Sequence, residues 1–270
     1  MAVIESEPFL PNTVMVTIAT GGYVPFTLNL RASLQRIGLD NELVVYTPDR
    51  SVEQELSASG VRSLLFGRQR YQRWSDFQTP EFAKIVAYKW AVASEILSTG
   101  SNVLFVDSDI VFLRNPAKYL RDTIERTSAH LIMQIEVPKK VYNMGFWFAK
   151  HEPSVLGLIR DMRDFLIVDK SSTADQNHFN EIIRERDGIR IHALDAELFA
   201  CGNQFLSSSN PFPIDSAYLL HFNYIIGKEK KVAAINKHNA LFYSGLLTAR
   251  NEKHPLWYRL IRWVRRVMRF

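Results

Sequence analysis

Cysteine is nearly absent from this chain, since Cys201 is the single one among 270 residues. One cysteine cannot close an internal disulfide, and the sequence lacks the cysteine framework that stabilises many small secreted domains. Proteins of a reducing compartment have this composition. We therefore expect a cytoplasmic protein rather than a disulfide-stabilised extracellular one.

Long apolar segments are absent as well. No stretch reaches the roughly 18 uninterrupted apolar residues that a helix needs to cross a bilayer. Residues 1–12 carry Glu5 and Glu7 and lack the basic region and apolar core of a secretory signal. The sequence predicts a protein that is soluble or that lies peripherally on the inner face of a membrane.

Excess positive charge is confined to one end of the chain. The net charge is +5, and the last twelve residues contain Arg259, Arg262, Arg265, Arg266 and Arg269. The rest of the chain is close to neutral, unlike a protein with an extended basic face for nucleic acid. We expect a phosphorylated ligand or an anionic membrane surface as partner, and no nucleic acid.

The residues that are present favour one sizeable core, because 47% of them are hydrophobic and 12% aromatic. Strands are predicted at residues 14–19, 43–46, 61–66, 103–106, 129–134 and 142–149, helices at 25–37, 80–97, 154–168 and 175–186, and less regular structure at 194–205 and 217–222. This alternation predicts an α/β domain over residues 1–250, with a mostly parallel sheet flanked by helices. Ligands in such sheets bind beyond the carboxyl ends of the strands.

Two carboxylates follow the apolar strand at residues 103–106, in the sequence VLFVDSD. Side chains two apart in an extended chain point the same way, so Asp107 and Asp109 are able to face one hard cation. A divalent ion such as Mn²⁺ or Mg²⁺ bridges the phosphates of a nucleotide diphosphate and stabilises the charge that develops as it leaves. The alternative is that the two acids merely end the strand and cap the turn that leads to Pro116.

Four segments together resemble the nucleotide-diphospho-sugar transferases of the GT-A fold, in particular the group containing plant rhamnogalacturonan xylosyltransferases, glycosyltransferase family 77. They are residues 89–116, which include VLFVDSDIVFLRNP, residues 143–146 (NMGF), residues 175–180 (DQNHFN) and residues 221–228, which begin with HFN and end with GK. The resemblance runs over residues 13–245. It implies a Rossmann-like domain that transfers a sugar, with retention, from a UDP-sugar to a glycan or lipid-linked acceptor.

The same resemblance implies a metal site. Asp109 is a ligand in it, Asp107 is a second ligand or a contact to the ribose, and His221 is the late histidine that completes the set. A neutral imidazole beside two carboxylates suits manganese. Taken alone, His221 reads more simply as a histidine that ends an apolar run.

The resemblance also assigns donor contacts and a reacting pair. The donor contacts are Thr20, Gly21, Tyr23, Lys89, Asp107, Ser108, Asn143, Gly145, Gly227 and Lys228, and the catalytic pair is Asp175 and Gln176. Lys84 lies little more than one helical turn from Lys89 and is an alternative to it. Residues 227–231 read alternatively as a solvated charged loop, and Asp175 as an acid that stabilises a helix N-terminus.

Residues 251–270 are predicted as a separate amphipathic helix. Helical spacing places Trp257, Leu260, Ile261, Val264, Val267 and Met268 on one face and most of the arginines on the other. A basic helix with Trp on its apolar side is typical of a peptide in a membrane interface, here through residues 256–270. Packing of the helix on the catalytic domain is the alternative.

Two other functions compete with sugar transfer. An Asp107-centred motif after four apolar residues also fits a phosphatase of the haloacid dehalogenase type, with Asp107 as nucleophile, although no second acidic motif follows to hold magnesium. A catalytically inactive sugar-nucleotide-binding protein would keep the same fold. Phospho-Asp107 trapping would support the first, and donor hydrolysis would exclude the second.

Overall fold

A computed structural model describes residues 9–67, 80–168, 175–206 and 212–248. The strands are β1 (Thr13–Ile18), β2 (Leu43–Thr47), β3 (Ser63–Leu65), β4 (Asn102–Val106), β5 (Ile110–Phe112), β6 (Leu131–Glu136), β7 (Val141–Ala149), β8 (Ile191–Ala193), β9 (Phe199–Cys201) and β10 (Leu219–His221). The helices are α1 (Val24–Gln35), α2 (Arg50–Ala58), α3 (Pro80–Ser98), α4 (Ala117–Thr127), α5 (Pro153–Val168), α6 (Asp175–Ile182), α7 (Gly202–Phe205), α8 (Lys228–Lys237) and α9 (Gly245–Thr248). The predicted tail helix, residues 251–270, lies outside the described residues.

The predicted α/β class with a mostly parallel sheet is confirmed. Within the described residues, seven strands form one sheet in the order β3-β2-β1-β4-β7-β6-β8. Only β7 runs against its neighbours there, since the β4–β7 and β6–β7 pairs are antiparallel and the other pairs are parallel. A second, smaller sheet has the strand order β5-β10-β9. The chain passes from the large sheet into this one through the short turn between β4 and β5.

Helices cover both faces of the large sheet. Leu104 and Val106 of β4 pack into one apolar cluster with side chains of α1, α2 and α4. Val103 and Phe105 point to the opposite face, into a second cluster with α3 and α5. There Trp147 stacks between Trp90 and Phe105, with ring centroids 5.5 Å apart on each side. Burial on both faces explains why β4 reads as an uninterrupted apolar run.

Several predicted boundaries differ from the observed ones. The strand predicted from Ala129 begins at Leu131, and the helix predicted through Arg186 ends at Ile182 and continues as a 3₁₀ turn, Ile183–Glu185. Residues 194–205 and 217–222 contain β9, α7 and β10. Strands of three residues carry too little side-chain periodicity to be recognised in advance. The reading of residues 227–231 as a loop is wrong, because α8 begins at Lys228.

The edge formed by the carboxyl ends of β1 and β4 is where the predicted site residues meet. The two strands are parallel neighbours, with Val16 opposite Phe105, so the segments that follow them leave the sheet side by side. The antiparallel β7 enters at the same edge, with Phe146 opposite Val106. The small sheet places His221 of β10 opposite Ile110 of β5. The topology thus gathers four separate segments around the Asp107–Asp109 turn.

Candidate active site

A tight turn follows β4 and carries both predicted acids. Ile110 N–H donates to the Asp107 carbonyl at 3.1 Å, and Ser108 is buried at the centre of the turn. The chain is therefore not extended through Asp109, which corrects the simple expectation of side chains two apart in a strand. The turn that we considered as an alternative is present, and it does not separate the two acids.

Both carboxylates face the same histidine. His221 Nε2 lies 3.6 Å from Asp107 Oδ2 and 3.4 Å from Asp109 Oδ1. One ligand atom from each of the three residues falls within 4.8 Å of the others. The partner strand β5 begins one residue after Asp109, and its pairing with β10 brings His221, more than a hundred residues later, to this place. The three predicted metal ligands are brought together.

A glutamine on β6 orients the imidazole ring of His221. Gln134 Nε2 donates to the Phe199 carbonyl at 3.1 Å, which turns the amide oxygen of Gln134 toward His221 Nδ1 at 2.9 Å. Because an amide oxygen only accepts, Nδ1 carries a proton, and Nε2 is the nitrogen that faces the two acids. Metal-binding histidines are commonly oriented in this way. Gln134 was not among the predicted site residues.

Gly145 leaves the space between the ligands open. A Cβ at this position would lie 2.2 Å from His221 Cε1 and 2.6 Å from Asp107 Oδ2. The backbone of Gly145 also fixes the turn, since its carbonyl accepts from Asp107 N–H at 2.7 Å. Glycine is therefore required at this position, because any side chain would collide with the two ligands. Its place in the NMGF segment is the signal by which the sequence singled it out.

The two acids differ in environment. Asp107 has 38% of its side chain exposed and Asp109 has 11%. Burial raises the pKa of Asp107 to about 6, against the influence of nearby Lys89 and with that of Asp109. Burial acts in the same direction on Asp109, but Lys231 and His221 outweigh it and hold its pKa well below the usual range. Lys231 Nζ lies 2.5 Å from Asp109 Oδ2.

These residues fit a divalent cation. Two carboxylates and one correctly oriented imidazole supply oxygen and nitrogen ligands that suit Mn²⁺ and similar ions. The absence of a side chain at Gly145 keeps the space between Asp107 and His221 open. Asp107 is the more exposed of the two acids and is therefore the more accessible to a ligand.

Lys89 and Asp175 form a buried ion pair beside the cluster. Lys89 Nζ lies 2.5 Å from Asp175 Oδ2 and donates to the Met144 carbonyl at 3.1 Å. Asp175 also accepts from Trp90 Nε1 at 3.0 Å and from the Gln176 backbone amide at 2.9 Å. Lys84 is exposed, so Lys89 is the lysine of α3 that faces the site. Asp175 thus holds Lys89 in position, whereas its predicted catalytic role stays a prediction.

Asn143 links the cluster to Gln176. Its amide oxygen accepts from Gly145 N–H at 2.8 Å, and its amide nitrogen donates to Gln176 Oε1 at 3.0 Å. The same nitrogen donates to Glu136 Oε1 at 2.7 Å. Asn143, Gly145 and Gln176 therefore lie together, while the buried carboxylate of Glu136 was not predicted.

The remaining predicted contacts lie around the same edge. Thr20 is buried directly after β1, and its hydroxyl has no hydrogen-bond partner among the described residues. Gly21 and Tyr23 form the 3₁₀ turn Gly21–Tyr23 that begins there. A buried hydroxyl without a hydrogen-bond partner indicates a place for a polar ligand, because buried polar groups are nearly always hydrogen-bonded.

Gly227 and Lys228 lie at the start of α8. Gly227 has a φ of +99° and open space where a Cβ would lie, so its backbone conformation, rather than a close approach, requires glycine there. Lys228 is buried and lies three residues before Lys231 on the same helical face. Lys231 was missed, although its spacing from Lys228 was the available signal.

Membrane association was also predicted from sequence. Across the described ranges, none of the helices combines the length and apolar character required to cross a bilayer. The basic tail on which the membrane prediction depends, residues 256–270, lies outside those ranges.

Comparisons with known proteins agree on the fold and the family. The arabinosyltransferase XEG113 of Arabidopsis thaliana is 26% identical over 200 residues, which are 70% of this chain and 31% of that protein. The chain thus matches less than a third of the length of this relative. A glycosyltransferase involved in glycosylation of the major capsid of PBCV-1 superposes with a TM-score of 0.52 at 11% identity, covering 84% of this chain and 100% of the other.

A second solved structure, the WbbM bifunctional glycosyltransferase, superposes with a TM-score of 0.55 at 12% identity, over 92% of this chain and 51% of that one. At such low identity these two structures support the fold alone. The family model of the nucleotide-diphospho-sugar transferases matches residues 38–235, which include β4, β7, β10 and the whole Asp107, Asp109 and His221 cluster. The chain belongs to the nucleotide-diphospho-sugar transferase family.

Proposed function

We propose that this chain is a metal-dependent glycosyltransferase that moves a sugar from a nucleotide diphosphate sugar to a glycan or lipid-linked acceptor. The observation that carries the proposal is the convergence of Asp107, Asp109 and His221 around a space that Gly145 leaves open. Membership of the nucleotide-diphospho-sugar transferase family supports the donor class. Mn²⁺ is the proposed ion, with Mg²⁺ as the second choice.

The charges around the site suit departure of a nucleoside diphosphate. A bound divalent ion would offset the negative charge of the two phosphates as the leaving group departs. Asp107, Asp109 and His221 would hold that ion. Lys228, one helical turn from Lys231, would add a positive charge near the diphosphate. Thr20, with its unpartnered hydroxyl, would bind the nucleoside together with Gly21 and Tyr23.

Gln176 is the group that we place against the transferred sugar. Asn143 Nδ2 donates a hydrogen bond to the side-chain oxygen of Gln176 at 3.0 Å, and Asp175 accepts one from the backbone N–H of Gln176. Lys89, held by Asp175, stays close to Asp107 and limits the repulsion between the acids. Ser108, buried in the turn between the two acids, is proposed as a further contact to the donor. Retention of anomeric configuration is the expected stereochemical outcome, and proton NMR of the first-formed product tests it.

The donor is proposed to be a UDP-sugar. A pentose donor such as UDP-arabinose is the first to test, because the Arabidopsis relative is named as an arabinosyltransferase. The phosphatase alternative is not favoured, since the family match is to sugar transferases. The inactive alternative predicts donor binding with no turnover.

A thermal-shift screen of UDP- and GDP-sugars, with and without Mn²⁺, tests the proposal. A ligand that binds only the native state raises its apparent stability, by about 2.7 kcal/mol at one hundred times its Kd. We expect a shift with a UDP-sugar that requires Mn²⁺ and that is lost in Asp109→Ala. Asp107→Asn, at the more exposed acid, serves as the second variant in case Asp109→Ala does not fold.

Equal shifts in the parent and both variants would refute the metal assignment. A UDP-sugar shift without release of UDP, measured over long incubation with Mn²⁺ and candidate acceptors, would instead favour the inactive binding protein.

A further inference from the structure

Glu136, at the end of β6, is a buried carboxylate whose hydrogen-bond partners among the described residues are all neutral. It is 5% exposed. Its oxygens accept from Asn143 Nδ2 at 2.7 Å, from Asn223 Nδ2 at 3.4 Å and from the hydroxyl of Tyr224. Within the described residues, no Lys or Arg pairs with it. Such a carboxylate is uncommon, because burial of a charge is costly unless the group is paired or hydrogen-bonded.

The position of Glu136 ties it to the reacting side of the site. Asn143 donates to both Glu136 and Gln176 from one nitrogen, and its oxygen holds Gly145 beside the metal ligands. Asn223 and Tyr224 follow His221 by two and three residues. A single hydrogen-bonded amide therefore separates Glu136 from the group that we place against the transferred sugar.

Tyr224 extends this arrangement to the surface. Its side chain has 54% relative exposure, and nearby Ile226 has 62%. Its φ of +63° is uncommon for a bulky residue, and strained backbone of this kind concentrates at ligand-binding sites. The hydroxyl of Tyr224 is bonded to the buried Glu136, so the ring is anchored at one end while much of the side chain stays exposed.

We propose that Glu136 and Tyr224 form the subsite for the acceptor sugar, an inference that rests on the proposed transferase function. An uncharged sugar presents hydroxyl donors to the carboxylate of Glu136 and an apolar C–H face to the ring of Tyr224. The donor diphosphate does not suit this place, because the unneutralised carboxylate repels it. The ligand class is therefore a neutral glycan rather than the nucleotide or an anionic lipid headgroup.

The experiment separates acceptor binding from donor chemistry in Glu136→Gln. Hydrolysis of the UDP-sugar without acceptor is measured first, and transfer to a panel of methyl glycosides and short arabino-oligosaccharides second. We expect the ratio of acceptor kcat/KM to donor hydrolysis to fall about tenfold or more relative to the parent, as for loss of a hydrogen bond to a charged group. The loss should appear mainly in the acceptor KM.

Tyr224 provides a matched pair of variants. Tyr224→Phe keeps the ring and should lose less than about threefold in acceptor kcat/KM, whereas Tyr224→Ala should lose about tenfold. The melting temperature of each variant shows whether it is folded. Equal loss of hydrolysis and transfer in Glu136→Gln would place Glu136 at the donor and overturn the inference.

A parent protein without hydrolysis or transfer would refute the proposed function and leave this inference testable. Saturation-transfer NMR with the same glycoside panel then compares the parent with Glu136→Gln. Weaker binding in the variant supports the subsite, and identical signals, including an absence of binding in both proteins, overturn it.

Discussion

At the scale of single residues, Gly145 is a position where any side chain would collide with the proposed metal ligands. The atoms that a side chain would meet, His221 Cε1 and Asp107 Oδ2, belong to two of the three proposed ligands. Neither ligand is free to move, because Gln134 fixes His221 and the turn after β4 fixes the backbone of Asp107. A single methyl group at this position therefore acts on the metal site directly.

We predict that Gly145→Ala abolishes the Mn²⁺-dependent thermal shift and costs about 1–3 kcal/mol of stability through overpacking. Gly227→Ala is the matched control. Gly227 has open space around it but a φ of +99°, so its substitution should lower stability and leave the affinity for Mn²⁺ unchanged. Urea denaturation gives the free energies of unfolding, and Mn²⁺ titration gives the affinities. Mn²⁺ affinity that is unchanged in Gly145→Ala would contradict the proposed position of the ion.

Individual elements contribute through groups that they present to one another. Strand β6 supplies Gln134 to His221, and helix α8 supplies Lys231 to Asp109. Neither residue was singled out from the sequence, because each is defined by a partner 87 or 122 residues away. By contrast, Asp107 and Asp109 are neighbours in the chain and follow an apolar run, so local pattern was sufficient to find them.

Gln134 tests the role of β6. We predict that Gln134→Leu weakens Mn²⁺ binding about tenfold or more, as is usual when the partner that orients a metal-binding histidine is lost. Gln134→Glu retains an acceptor for Nδ1–H and should keep most of the affinity. Titration of both variants with Mn²⁺, followed by electron paramagnetic resonance of the free ion, measures the difference. Matching affinities in the two variants would show that Gln134 does not orient His221.

Lys231 tests the role of α8. Removal of one partner of a buried ion pair leaves an uncompensated charge and typically costs about 3–5 kcal/mol. We predict that Lys231→Met lowers the melting temperature of the metal-free protein and that Mn²⁺ restores more stability to it than to the parent, since the ion then supplies the missing positive charge near Asp109. Exposed Lys230, its neighbour, gives the control Lys230→Met. A loss of melting temperature in Lys231→Met that Mn²⁺ does not reduce would show that the ion does not replace the positive charge of Lys231 near Asp109.

The whole molecule is organised so that one sheet edge receives segments from distant parts of the chain. The long, buried strands of the large sheet were predictable, since apolar side chains on both faces leave a continuous signal in β4 and β7. The three-residue strands β5, β9 and β10 were not, because they are formed by pairing with one another. It is this small sheet that delivers His221 to the two acids.

At the same scale, we propose that residues 256–270 attach the protein to anionic membranes. Flotation of the full chain with vesicles of phosphatidylcholine containing anionic phosphatidylglycerol should show binding that weakens with salt, since each basic residue near such a surface contributes about 1 kcal/mol. A variant with Gln in place of the five tail arginines should lose it. Absence of binding in the parent would favour packing of the tail on the domain, and retained binding in the variant would show that the tail arginines do not attach the protein.

The amino-acid sequence by itself determined the α/β class, the buried parallel strands and the adjacent acids Asp107 and Asp109, because these depend on periodicity and on neighbours in the chain. Only the tertiary structure decided which nitrogen of His221 faces the acids, that Lys231 balances Asp109, and that Asp175 holds Lys89. It also revealed Glu136 beneath Tyr224. These relations join residues far apart in sequence, and burial and hydrogen bonding between distant segments create them only once the sheets have formed.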